Sequence, residues 1–253
     1  MRAVHMLLAV VIALGSAPAE LRAMEIFAER GGSSDFSIFS GWRRVMTETS
    51  DALAASRATA DQPCEAGEDC RLKEWRAFLK DTARLPRGEQ IEAVNTWVNT
   101  RPYVEDWVNW GLPDYWATPE EFFRRGGDCE DYAIVKYFSL IQLGFTPHDL
   151  RIVVVNDLNL EVFHAVLAVR QEGSSVLLLD NQIEQPVPAA LASHYRPIYE
   201  LNELAWWMAP AGPMAQGPLS PNPTPVAKNL FAAAGPAAER ASAENGANTP
   251  LAD

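Results

Sequence analysis

Residues 162–180 read VFHAVLAVRQEGSSVLLLD, and no other stretch restricts the fold as tightly. Two runs rich in Val and Leu flank QEGS, a short turn sequence. That pattern predicts an antiparallel hairpin, with strands over 162–170 and 175–180. RIVVVN (151–156) supplies a further strand, and YRPIYELNELAWW (195–207) a last strand or ordered segment. Helical spacing dominates upstream. RLKEWRAFLKDTARL (71–85) places Leu72, Trp75, Phe78, Leu79 and Ala83 on one face. After Pro86 the pattern repeats with Ile91, Val94, Trp97 and Val98. TPEEFFRR (118–125) opens with Thr118 as an N-cap and Pro119 at the first helical position. A helix over about 129–143 follows, with Cys129, Ala133, Tyr137, Leu140 and Ile141 on its buried face and Gly144 at its end. Helices followed by antiparallel strands define an α+β class, with the N-terminal helices packed on the sheet. The segment 100–118, aromatic and punctuated by Pro and Gly, reads as a long loop. No internal repeat is visible.

The ends of the chain differ from this middle. Arg2 precedes an apolar run from Met6 to Leu14, and APA (17–19) or LRA (21–23) offers a cleavage site. The run is short for a membrane span. Residues 1–23 therefore read as a secretory signal peptide. The expected location is a bacterial periplasm, without stable membrane insertion after cleavage. From Pro210 the sequence turns to Pro and Ala, so 210–253 is expected to be a disordered tail. The folded domain is then 24–209. A formal net charge of −12 argues against nucleic acid or anionic lipid as a partner and is compatible with a divalent cation.

Export changes the meaning of the three cysteines, Cys64, Cys70 and Cys129. CEAGEDC sets the first two in one short loop, where an oxidising compartment allows a disulfide. Cys129 is then odd, either inert or reactive. It stands in RRGGDCEDYAIVKYF, crowded by Asp128, Glu130 and Asp131. Neighbouring carboxylates disfavour a thiolate, so a reactive Cys129 needs positive charge from elsewhere. The helix N-terminus supplies some. His164 supplies more if the hairpin brings it near. Paired residue numbers summing to about 344 place His164 opposite Asp180, on one face, where the carboxylate fixes the imidazole. A slip of one residue would part them. Cysteine, histidine and aspartate so arranged form a candidate catalytic set, with the histidine as base and the aspartate as its orienter.

The combination GDCEDYAIVKYFSLIQLGF, HAVLAV and LLLDNQ, with DYWATPEEFFRRG upstream, resembles the bacterial transglutaminase-like cysteine peptidases, the LapG type of periplasmic protease in particular. The resemblance covers about residues 60–205. It implies a papain-like, transglutaminase-like core, and its motif residues fall on Cys129, His164 and Asp180 as a catalytic triad. It further implies dependence on Ca²⁺, with Asp128, Glu130 and Asp131 as ligands. Asp128 and Asp131 also fit a helix capping box, so the two roles compete for the same oxygens. The implied partners are a protein substrate, a large surface adhesin, and an inner-membrane receptor for cyclic di-GMP. Two other readings stay open on sequence: acyl transfer to an amine, and a non-catalytic periplasmic binding module of the same fold.

Overall fold

The computed structural model describes residues 24–28, 31–57 and 70–209. Residues 1–23, read above as a signal peptide, the expected tail 210–253 and Cys64 lie outside the described residues, so the Cys64–Cys70 pairing stays an expectation. No helix among the described residues is long and apolar enough to cross a membrane.

Six helices come first: α1 (Ser40–Arg57), α2 (Arg71–Thr82), α3 (Arg87–Asn99), α4 (Asp106–Trp110), α5 (Pro119–Arg125) and α6 (Cys129–Gln142). Six strands follow: β1 (Leu150–Asp157), β2 (Val162–Arg170), β3 (Val176–Leu179), β4 (Val187–Pro188), β5 (Tyr195–Leu201) and β6 (Trp206–Met208). They form one sheet in the order β4-β3-β2-β1-β5-β6, and each neighbouring pair is antiparallel. The α+β expectation holds. The segment 100–118 is more ordered than its Pro and Gly content suggests, because it carries α4. That helix ends at Gly111, whose positive φ of 66° makes a left-handed cap.

Helix α6 is the axis of the molecule. Its expected single buried face is a misreading, because every residue from Glu130 to Leu140 is buried. Helices α3 and α5 and strands β1 and β2 surround it. Full enclosure explains why polar groups sit inside. Ser139 accepts the indole N–H of Trp75 at 2.9 Å and donates to Val135 O at 2.7 Å. Trp42, Trp75, Tyr137, Phe122 and Leu140 fill the space around the helix. Burying each such side chain stabilises the fold by roughly 1.5–3 kcal/mol.

Both faces of the sheet are covered, which is why RIVVVN reads as a continuous apolar run rather than an alternation. Val154, Ala165, Leu167, Val169 and Leu179 join the helical core. Val153, Val155, Val166, Ala168 and Leu178 meet a thinner layer built from Ile26, Ala189 and Ala192.

The β2–β3 register differs from the one read in the sequence. Leu167 pairs with Leu179 and Ala168 with Leu178, so paired numbers sum to 346, two more than expected. The loop is wider because Gly173 and Ser174 both take positive φ, 77° and 67°, and Gln171 N–H closes it on Ser175 O. A shift of two keeps every side chain on its face. Asp180 therefore lies diagonally from His164, still on the same side of the sheet.

Candidate active site

The ladder between β2 and β3 ends at Leu167 and Leu179, and the chain carrying Asp180 turns away from β2 there. The N-terminus of α6 brings Cys129 to this place. The backbone N–H of Ala165, next in chain to His164, acts on the Cys129 thiol and pulls its pKa down against the larger raising effects. Cys129, His164, Ala165, Phe163, Trp116, Glu130, Val154 and Tyr199 line one small pocket. A larger cavity of about 230 Å³ lies between α1, α2 and α5. Its walls carry Glu48, Arg76, Glu121 and Arg124 and no cysteine or histidine, whereas the smaller pocket has both.

His164 Nε2 sits 2.9 Å from Asp180 Oδ1, and both side chains are buried. Asp180 accepts two further hydrogen bonds: Gln182 N–H on Oδ1 at 2.8 Å and Tyr195 O–H on Oδ2 at 2.5 Å. Burial pushes the Asp180 pKa up. The bonds from His164, Tyr195 and Gln182 outweigh it and hold the carboxyl below its ordinary value. An ionised Asp180 fixes Nε2 of His164 as the donor, so that Nδ1 is the ring nitrogen without the proton. The sequence reading did not include Tyr195. It lies 15 residues past Asp180, in a strand segment with no motif, and only the β5–β1–β2–β3 order brings it round. Tyr195→Phe removes one donor from a buried carboxylate. Hydrogen bonds to charged groups are worth about 1.5–3 kcal/mol, so kcat is expected to fall on the order of tenfold or more, with the melting temperature nearly unchanged.

Cys129 itself stands in a negative environment. Burial raises its pKa well above the ordinary value, and the charges of Glu130 and Asp128 raise it further. Its thiol donates to Glu130 Oε2 at 3.2 Å. The carboxylates beside it extend into a cluster that the sequence reading only half located. Loop 100–118 wraps the start of α6, where Val104 N–H donates to Gly127 O at 2.9 Å. It thereby adds Asp106 and Asp114 to Asp128, Glu130 and Asp131. Ligand oxygens of Asp106, Asp128 and Asp131, and of Asp106, Asp114 and Glu130, lie within 4.8 Å of one another. Four of these carboxyls crowd one buried volume. Burial first, and then mutual repulsion, raises Asp128, Glu130 and Asp131, and takes Asp106 to about 7.

Two features distinguish a metal-binding cluster from a merely crowded one. Asp106 Oδ1, Asp128 Oδ1 and Glu130 Oε1 are buried and have no hydrogen-bond partner. Buried oxygens of this kind normally find a donor or a cation. Asp131 is different: its Oδ1 accepts Ala117 N–H at 2.6 Å and its Oδ2 accepts Asp128 N–H at 3.2 Å. The competition foreseen between capping and metal binding thus leans toward capping at Asp131. In these two groups every donor is oxygen, which suits a hard divalent ion; Cys129 Sγ also lies within 4.8 Å of Asp128 and Glu130 oxygens. The preceding glycines serve the same corner. Gly126 has a φ of 78°, and a Cβ on Gly127 would collide with the Asp131 carboxylate.

Residues 62–204 match the family model described as bacterial transglutaminase-like cysteine proteinase, BTLCP. The chain belongs to this family. It is a cysteine peptidase by that membership. A comparison with curated protein sequences returned no match. Among solved structures, the chain is similar to Legionella pneumophila LapG, with 30% identity and a TM-score of 0.52 over 65% of this chain and 87% of that one. A calcium-bound Legionella pneumophila LapG matches at 28% identity and a TM-score of 0.54, over 67% of this chain and 92% of that one. An EGTA-treated form matches at 30% identity and 0.52, over 66% and 86%.

Proposed function

We propose that this family member is an exported, calcium-dependent protease that cuts a peptide bond through Cys129, His164 and Asp180. The observation that carries the reading is the buried His164–Asp180 hydrogen bond at 2.9 Å, placed where β2 meets the thiol at the start of α6. His164 Nδ1 takes the Cys129 proton, and the thiolate attacks the substrate carbonyl carbon. The tetrahedral intermediate collapses, the C–N bond breaks, and His164 returns its proton to the leaving amine. Water, deprotonated by His164, then splits the thioester and restores the thiol. Asp180 stays ionised and stabilises the imidazolium formed at each stage.

The backbone N–H of Cys129, at the N-terminus of α6, would be one donor to the developing oxyanion. Trp116 lines the pocket, but its indole N–H is engaged by Asp114 Oδ1 at 3.1 Å. Trp110 is not among the lining residues.

Asp106, Asp128 and Glu130 are the side chains that would hold calcium, with Asp114 in reach and Asp131 as brace. The bound ion would supply the positive charge that turns this acidic surround from hostile to favourable for a thiolate. The chain's own part is to fix these oxygens around the start of the nucleophile helix. The calcium-bound LapG relative supports the choice of ion.

The short basic n-region and apolar run of residues 1–23 support export, and with it a periplasmic place of work. The likeness to LapG supports a large surface adhesin as substrate and a cyclic di-GMP receptor in the inner membrane as the controlling partner. The test is co-expression with candidate surface proteins, followed by N-terminal sequencing of the fragments. A single new N-terminus that requires Cys129 and calcium is the expected result. Incorporation of a labelled amine into the product in preference to hydrolysis would replace protease with acyl transferase.

A further inference from the structure

Residues 101–104 run beside the glycines that precede α6, and hydrogen bonds fix them there. Tyr132 O–H donates to Arg101 O at 2.5 Å, Gly127 N–H to Pro102 O at 3.4 Å, and Val104 N–H to Gly127 O at 2.9 Å. The last two make a parallel bridge, one residue long, between Tyr103 and Gly127. Gly126 permits the close approach, since a Cβ there would collide with Pro102 O.

The direction of these bonds leaves an open edge. Pro102 C=O and Val104 N–H point at Gly127. The N–H and C=O of Tyr103, between them, point the opposite way. Neither has a hydrogen-bond partner among the described residues. Pro102 and Tyr103 are both exposed. Cys129 stands two residues beyond Gly127. Tyr132, three residues further on, shares a helix face with it. The Tyr103 ring stacks on Tyr132, with centroids 6.4 Å and planes 22° apart. The open edge therefore lies on the side of α6 that carries the thiol. A polypeptide whose scissile carbonyl reaches Cys129 loses water from its neighbouring peptide groups, which then need partners. A free strand edge offers a donor and an acceptor together.

We propose that the backbone of Tyr103 aligns the substrate: its N–H donates to a substrate carbonyl and its C=O accepts a substrate N–H. The ligand this edge selects is an extended stretch of polypeptide with no strand partner of its own. The inference rests on the reading of Cys129 as a peptidase nucleophile, and the test separates the two.

The probe is a peptide bearing the mapped cleavage site, bound to calcium-loaded Cys129→Ala protein so that it is not cut. Hydrogen exchange resolved to single amides reads the Tyr103 N–H. Saturating peptide is expected to slow its exchange by about tenfold or more. Unchanged exchange at Tyr103 in the saturated protein overturns the inference. Kinetics on the active protein gives a second reading. Tyr103→Pro deletes the N–H, whereas Tyr103→Ala keeps both backbone groups. With the peptide in fluorogenic form, kcat/KM is expected to fall about tenfold in the proline variant and to stay within about threefold of wild type in the alanine variant. Equal losses in the two assign the effect to the ring and overturn the backbone role. Should Tyr103→Pro not fold, the exchange measurement decides. Cys129-dependent cleavage with an unprotected Tyr103 amide overturns the role of Tyr103 alone. If no surface protein yields a Cys129-dependent fragment, the protease reading fails and this inference with it.

Discussion

Cys129→Ala is expected to abolish cleavage, with a loss of roughly 10⁴–10⁶-fold in kcat, the range seen when a nucleophile is removed from a triad. No other described residue can replace the sulfur. Cys129 is the free cysteine of the described residues, and its pocket otherwise offers Glu130, His164 and apolar side chains. The fold should survive. Cys129 is half-buried at the helix start, and the bond its thiol makes to Glu130 is not part of the helical ladder. Thermal unfolding of the variant is therefore expected within a few degrees of wild type. Cleavage is read by fragment appearance on co-expressed surface protein. Retained cleavage by a folded Cys129→Ala protein would assign the activity to another site.

Calcium removal comes second in expected size, and pH gives its sign. The cluster carboxyls have folded pKa values above their unfolded ones, Asp106 reaching about 7. The folded state then binds more protons than the unfolded state over the interval between those values. Stability of the cation-free protein must fall as pH rises from about 4 through 7. A cation reverses this by pairing with the ionised oxygens. The melting temperature of EGTA-treated protein should therefore drop between pH 5 and pH 8. Added calcium should raise it more at pH 8 than at pH 5, and should restore cleavage lost to chelation. Asp106→Asn should weaken calcium binding and shrink the pH-dependent drop together, because one crowded carboxylate causes both. Asp180 has the opposite sign. Its pKa is held below the ordinary value, so its contribution is present above about pH 4 and is lost on acidification below that. A melting temperature that rises from pH 5 to pH 8 without calcium would contradict the picture of crowded carboxyls raised by burial and mutual repulsion.

The parts of this site that the sequence discloses are those fixed by local rules. Thr118 is the N-cap expected at a Thr-Pro helix start, and the structure adds a capping box with Glu121. Asp128 before Cys129 marks the start of α6 within one residue. His164 and Asp180 share a face because a hairpin has a period of two, and an error of two in register does no harm to that argument. What stays hidden depends on contacts between distant segments. Asp106 and Asp114 reach the cluster only because the parallel bridge between Tyr103 and Gly127 folds the aromatic loop over α6. The sequence shows that loop as Trp and Pro, and its carboxylates look like ordinary solvated charges. Tyr195 needs the strand order to meet Asp180. Lys136 looks like the polar edge of an amphipathic helix, and only the enclosure of α6 on all sides puts it indoors.

The most direct test is the alkylation of Cys129 by iodoacetamide in the calcium-loaded protein at neutral pH, followed by mass spectrometry, with His164→Ala as the comparison. An activated thiol requires modification of Cys129 in step with loss of cleavage, and a markedly slower reaction once the imidazole is gone. Equal alkylation rates in the two proteins, or cleavage that continues after Cys129 is fully modified, would contradict the account.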